Sequence, residues 1–101
     1  MGNLFSRTEN LIGREALIKL KNSTVAVFGL GGVGSFAAEA LVRTGIGKIY
    51  LFDCDNVDIS NLNRQLIATS DNVGRPKTEV TAERLKSIIP DVETQKIQCV
   101  C

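Results

Sequence analysis

The residues that could do chemistry fall in two stretches. The first, Val25-Ala26-Val27-Phe28-Gly29-Leu30-Gly31-Gly32-Val33-Gly34-Ser35, is an apolar run ending in a glycine turn. Gly29, Gly31 and Gly34 fit the spacing G-x-G-x-x-G, and Gly32 adds a fourth glycine. In that spacing the first glycine permits a tight turn, Gly31 and Gly32 let backbone approach a phosphate, and Gly34 lets a helix pack close to a strand. A helix opening there offers unpaired N–H groups and partial positive charge to an anion. The motif is weak alone, but strand before and helix after are the setting in which it binds nucleotides. The second stretch, Ile49-Tyr50-Leu51-Phe52-Asp53, ends on an aspartate 19 residues after Gly34. A carboxylate at that place can accept both hydroxyls of a ribose.

Asn61, Arg64 and Lys77 suggest which nucleotide. A guanidinium is an always-charged planar fork for phosphate oxygens. Asn61 lies three residues before Arg64, so a helical turn would point both the same way. Lys77 follows Gly74-Arg75-Pro76 at the start of a predicted helix. Two cations behind a ribose-binding aspartate suit a triphosphate. An NAD-binding oxidoreductase would account for the glycine loop and Asp53, but hydride transfer needs no such clamp. Asp55 and Asp58 read as loop-capping residues rather than metal ligands, and Arg75 and Arg84 as solvated surface. Cys99 and Cys101 share one face of a predicted strand. The chain has no histidine to complete a metal or redox site with them, so they read as packing residues.

The elements that must hold these groups follow from hydrophobic periodicity. Leu11, Ile12, Ala16 and Leu20 predict a short helix over Leu11–Lys21, weakened by Gly13. Thr24–Phe28 is continuously apolar, as buried parallel strands are. Val33, Phe36, Ala37, Ala40 and Leu41 predict one buried face of a helix over Val33–Thr44. Lys48–Asp53 is a second strand, and Ser60 is placed to cap a short turn carrying Asn61, Arg64 and Gln65. Lys77–Ile89 reads as a helix burying Val80, Leu85, Ile88 and Ile89, stopped by Pro90. Glu93–Val100 reads as a third strand. Alternation of helix and strand predicts an α/β fold: a Rossmann-like parallel sheet with helices on both faces. The division expected is an N-terminal helical arm at 1–22 and a nucleotide-binding Rossmann-like half at 23–101.

Composition bounds the rest. The chain has 101 residues, one small domain's worth. A net charge of +1 supplies no bulk attraction for nucleic acid. No apolar stretch is long enough to span a bilayer, and Met1–Arg7 lacks the charged head and apolar core of a secretory signal. With three cysteines in no framework spacing, reduced thiols and a cytoplasmic location are the expectation. The last residues, Gln98-Cys99-Val100-Cys101, lie inside the predicted strand, and the chain reads as a fragment truncated at its C-terminus.

G-L-G-G-V-G-S at 29–35, D-C-D-N-V at 53–57, S-N-L-N-R-Q at 60–65 and V-G-R-P-K at 73–77 occur together. With these motifs the chain resembles the superfamily of ubiquitin-activating enzymes and their bacterial ThiF/MoeB/HesA relatives. Within it, S-R-T-E-N-L-I-G-R-E-A-L at 6–17, G-V-G-S-F-A-A-E-A-L-V-R-T-G-I-G at 32–47 and Asn63 before Arg64 look most like the branch that dehydrates threonylcarbamoyladenosine in tRNA. The resemblance implies the N-terminal part of an adenylation domain that uses ATP and Mg2+ to activate a carboxylate. It implies that Gly29, Gly31, Gly32 and Gly34 line the adenosine and phosphate pocket, that Asp53 binds ribose, and that Asn61, Arg64 and Lys77 contact phosphates. Arg64 and Lys77 would stabilise the transition state, and Arg7 would reach across a homodimer to the neighbour's nucleotide. The magnesium-binding aspartate would lie beyond residue 101, so these residues alone would not turn over. The substrate partner would be tRNA or, alternatively, the C-terminus of a ubiquitin-like sulfur carrier, and a cysteine desulfurase or sulfur-relay protein is a further implied partner.

Overall fold

The computed structural model describes residues 5–63 and 65–98, with the backbone but not the side chain of Asn61. The chain runs α1 (Ser6–Ile12), α2 (Arg14–Lys21), β1 (Thr24–Phe28), α3 (Gly32–Thr44), β2 (Lys48–Asp53), a 3-10 turn (Ile59–Asn61), α4 (Lys77–Ile88) and β3 (Glu93–Gln98). The first two strands and the two long helices start and stop within a residue of their sequence-based bounds. The N-terminal helix does not. It is two helices, because Gly13 stands at φ 88° and cannot continue α1. Its N–H closes α1 on the Glu9 carbonyl at 2.7 Å, and its own carbonyl opens α2 by accepting from Leu17 N–H at 3.1 Å. Leu17 is the buried anchor of the pair, while Leu11, Ile12 and Ile18 are exposed.

The three strands are parallel in the order β1-β2-β3, with Val27 opposite Leu51 and Leu51 opposite Lys96. Ile49 and Leu51 point into a core with Ala38 and Val42 of α3 and Ala82 and Leu85 of α4, so both crossover helices cover the same face. Burial of side chains of this size contributes about 1.5–3 kcal/mol each. The opposite face carries Phe28 and Phe52, stacked at 4.5 Å between ring centres. β1 is an edge strand, and Thr24, Ala26 and Phe28 are exposed along it. The expectation of a fully buried first strand therefore fails: Val25 and Val27 pack on the helix face while the other face is uncovered, and continuous apolarity cannot tell a strand covered on both faces from one covered on one.

The face of α3 also differs from its sequence pattern. Val33 and Phe36 are exposed, and Ser35, Ala38 and Val42 are buried instead. Gly34 is the cause. A Cβ there would stand 1.7 Å from the Gly29 carbonyl oxygen, so the helix must turn its bare glycine toward the β1 turn. That contact fixes the rotation of the whole helix and sends Val33 and Phe36 outward.

Two further findings revise the sequence reading. Cys54 is disulfide-bonded, against the expectation of reduced thiols. The register sets Asp53 opposite Gln98, which brings Cys54 beside the end of β3; Cys99 and Cys101 lie outside the described residues. Arg84 is also more than solvated surface. Its Nε donates to Glu39 at 2.7 Å and ties α4 to α3, while Arg43 pairs with the same carboxylate.

Gly34→Ala should lower stability by on the order of 3 kcal/mol, since backbone rather than a flexible side chain must move; urea unfolding measures it. The Arg84 hydrogen bond, aided by Arg43, holds the Glu39 carboxyl below its ordinary 4.5. A lowered carboxyl pKa adds stability above the unfolded value, and this is lost as pH falls through the folded one. Glu39→Gln should therefore cost about 1 kcal/mol at pH 7, allowing for the half-exposed guanidinium. The difference from the parent should shrink below pH 4.5, read by thermal melts across pH.

Candidate nucleotide-binding site

The site begins where β1 ends. Gly29 turns the chain at φ 87°, and its N–H donates to the Phe52 carbonyl at 2.8 Å. Gly31, Gly32 and Gly34 carry the chain into α3, whose N-cap Gly31 supplies no side-chain cap. The first N–H groups of α3 have no intrahelical acceptor, as at any helix start. Ser35, 2% exposed, donates its hydroxyl to the Gly31 carbonyl at 2.7 Å and braces the turn from behind. Its role was not legible beforehand, because a serine after the last glycine has no distinctive spacing.

Asp53 ends β2 beside this loop and is 8% exposed. Its Oδ2 accepts from the Leu30 N–H at 2.5 Å and its Oδ1 from the Asp55 N–H at 2.7 Å. One carboxylate therefore ties the glycine loop to the loop after β2. Spacing alone pointed to a ligand-facing role for Asp53; the tie to Leu30 is a tertiary fact.

The same loop positions Lys77. Lys77 N–H donates to the Asp55 carbonyl at 3.0 Å, and Val57 exchanges hydrogen bonds with Arg75 and Gly74. Asn56 pairs with Pro76 as an isolated bridge. Beneath them Val57, Ile67 and Val80 form a small second core. The buried Asn72 amide donates to Ile67 O at 2.6 Å and holds the turn before α4. The first residue of α4 is thus carried to the end of β2. Lys77 is 7% exposed and forms no ion pair among the described residues. A lysine can pack its stem and keep its charged head toward water, and a cation with no carboxylate partner among the described residues suits a site that receives an anion.

The remaining candidate residues are distributed differently. Asn61 falls in the 3-10 turn, with its side chain outside what is described, and Arg64 lies outside the described residues. Asp58, rather than Ser60, caps that turn: its Oδ1 accepts from the Ser60 N–H at 3.0 Å. Arg7 is exposed on α1, and the structure does not bring it into the group formed by Asp53, the glycine loop and Lys77. Arg75 binds Glu79 and Glu83 at the surface. Gln65 is an addition that the sequence did not single out. It lines a cleft of about 360 Å³ with Gly32, Phe36, Leu62, Asn63 and Leu66.

Donor atoms of Asp53, Cys54 and Asp55 lie within 4.8 Å of one another, but the set does not fit magnesium. Cys54 is in a disulfide and offers no ligand, which leaves two carboxylates, whereas Mg2+ takes oxygen ligands in near-octahedral array.

A parallel sheet, a glycine turn opening α3 and an acidic end to β2 define the class: a Rossmann-like α/β domain. The ThiF family pattern matches residues 5–100, and the chain belongs to that family. It is 58% identical over 89 residues to the tRNA threonylcarbamoyladenosine dehydratase of Bacillus subtilis, covering 88% of this chain and 35% of that protein. It is 41% identical over 80 residues to the sulfur carrier protein ThiS adenylyltransferase of Escherichia coli, covering 79% of this chain and 32% of that protein. The crystal structure of E. coli tRNA N6-threonylcarbamoyladenosine dehydratase in complex with ATP matches with a TM-score of 0.91 at 47% identity, over 94% of this chain and 39% of that one. The chain thus spans about a third of the length of the curated relatives it matches.

Asp53→Asn tests the tie between the loops. An amide has one acceptor oxygen for two backbone donors, so one N–H must face an NH2. The expected loss is about 2 kcal/mol of stability, with faster amide hydrogen exchange at Leu30 and Asp55; unchanged exchange at both would show that the carboxylate is not the clamp.

Proposed function

We propose that this chain forms the nucleotide-binding part of an ATP-dependent carboxylate-activating enzyme, a tRNA threonylcarbamoyladenosine dehydratase. The carrying observation is the hydrogen bond from Leu30 N–H to Asp53, which joins a ribose-type carboxylate to the uncapped start of α3. Lys77 reaches the same place through Asp55.

Each Asp53 oxygen keeps a second lone pair for a ribose hydroxyl. The phosphates then lie over the start of α3, where backbone N–H groups and the helix dipole meet their charge. Lys77 and Arg64 supply the positive charge, and Asn61 a neutral donor. The substrate carboxylate oxygen attacks the α-phosphorus; the bond to the β-phosphate oxygen breaks and pyrophosphate leaves. Negative charge grows on the phosphoryl oxygens as this happens, and donors already in place stabilise it without reorganising. A nitrogen of the same modification then attacks the activated carbonyl carbon and AMP departs, so the net change is loss of one water. Magnesium fits no set among the described residues, and no step is assigned to it here. Arg7, exposed on α1, is placed in this reading at the partner's nucleotide in a homodimer. A tRNA substrate places the enzyme in the cytoplasm; the disulfide at Cys54 is the observation that pulls the other way, since such bonds are seldom stable there.

The likeness to a sulfur carrier adenylyltransferase supports a second reading, in which the carboxylate is the C-terminus of a ubiquitin-like protein. One experiment separates them. The full protein is incubated with threonylcarbamoyladenosine-modified tRNA, ATP and Mg2+, and the nucleosides are weighed by mass spectrometry. ATP-dependent loss of one water is the expected result. An unchanged nucleoside, together with an acyl-adenylate on a sulfur carrier, would establish the second reading. Arg64→Ala and Lys77→Met should each lower turnover about a hundredfold, the usual cost of one preorganised transition-state contact. Wild-type turnover in either folded variant would remove that residue from the mechanism.

A further inference from the structure

Cys54, which is disulfide-bonded, is the first residue after β2 and stands between two residues that build the candidate site. Asp53 before it accepts from the Leu30 N–H of the glycine loop at 2.5 Å. Asp55 after it accepts, through its carbonyl, from the Lys77 N–H at 3.0 Å. A shift of the backbone at Cys54 therefore reaches both the glycine loop and the start of α4. The other cysteines of the chain, Cys99 and Cys101, follow β3 in sequence, so a bond within the chain ties the loop after β2 to the segment past β3.

That loop is held unevenly by its hydrogen bonds. On the side of α4 it is knitted by backbone pairs, Val57 N–H to Arg75 O at 2.8 Å and Gly74 N–H to Val57 O at 2.7 Å. On the side of β3, Gln98 Nε2 donates to Asn56 Oδ1 at 3.2 Å, an exposed side-chain pair that exchanges for water at little net cost. The covalent tie is the firm one there. Cys54 is half-buried and its neighbours Asp55 and Asn56 are exposed, so a small dithiol has a path to the sulfur. In the cytoplasm, where the reading above places this protein, a disulfide is as a rule a transient or sensing bond. We propose that the Cys54 disulfide is a redox switch on the nucleotide site. Oxidised, it fixes the loop so that Asp53 and Lys77 keep their places; reduced, it frees the loop and ATP binding weakens. This rests on the nucleotide reading above and adds its regulation. The step is thiol–disulfide exchange. A dithiol gives up two electrons and two hydrogens, the sulfur–sulfur bond breaks, Cys54 and its partner become thiols, and the dithiol closes to a cyclic disulfide. Hydrogen peroxide reverses the change: its O–O bond breaks, the two thiols surrender their hydrogens, the disulfide forms and two waters leave.

The test is ATP titration of the full protein by calorimetry, oxidised and then treated with dithiothreitol, with free thiols counted by alkylation and mass spectrometry. Reduction should weaken ATP about tenfold, within the usual range of coupling between two sites, and hydrogen peroxide should restore it. Cys54→Ser should bind ATP as the reduced parent does and ignore both reagents. A purely structural bond would lower the ligand-free Tm on reduction and leave ATP affinity unchanged, which overturns the proposal. Air-oxidised protein in which Cys54 is alkylated as a free thiol overturns it too. Both results leave the nucleotide reading standing, whereas a parent that binds no ATP in either state overturns that reading and the switch with it.

Discussion

The contact on which the rest of the site depends is the hydrogen bond between the Leu30 N–H and the Asp53 carboxylate. Two parallel strands bring their C-terminal ends to one edge, but ladder bonds alone do not dictate how the loops beyond them lie. A carboxylate that accepts from the glycine loop with one oxygen and from its own loop with the other makes a single piece of two turns. Charge-assisted bonds of this kind are the stronger ones, and here they lie in a largely dry setting. Once the turns are joined, the start of α3 and the loop that carries Lys77 share one frame.

Close approach supplies the second constraint. Gly34 lies against the Gly29 carbonyl so tightly that no side chain fits, and the rotation of α3 follows from it. The same rotation that lays Ala38 and Val42 on the sheet turns Phe36 toward the cleft lined by Gln65 and Leu66. Packing and site construction are therefore one event. The Arg84–Glu39 pair then holds α4 to α3 on the face away from the stack of Phe28 on Phe52.

The site's polar groups are poorly satisfied by the protein itself. Lys77 has no counter-charge among the described residues, and Gln65 shields an oxygen without a hydrogen-bond partner. The Asn72 amide, the Ser35 hydroxyl and Asp53 all have partners, while the Thr81 hydroxyl within α4 has none.

Local chemistry settled a good deal about this chain. Glycines at 29, 31 and 34 after an apolar run require a tight turn into a helix, whatever surrounds them. The apolar periods marked β1, β2, α3 and α4 nearly to the residue, because those periods are properties of the strand and helix themselves. Other features depend on pieces distant in sequence, and only the folded chain decided them. Whether an apolar strand lies at an edge, as β1 does, depends on its neighbours rather than its residues. Which face of α3 is buried was set by a clash with Gly29 that outweighed the stronger apolar stripe. Gly13 split one predicted helix in two, and no spacing rule reveals that Cys54 is disulfide-bonded. The packed stem of Lys77 and the unmet oxygen of Gln65 are facts of burial, and burial belongs to the assembled fold rather than to any residue in it.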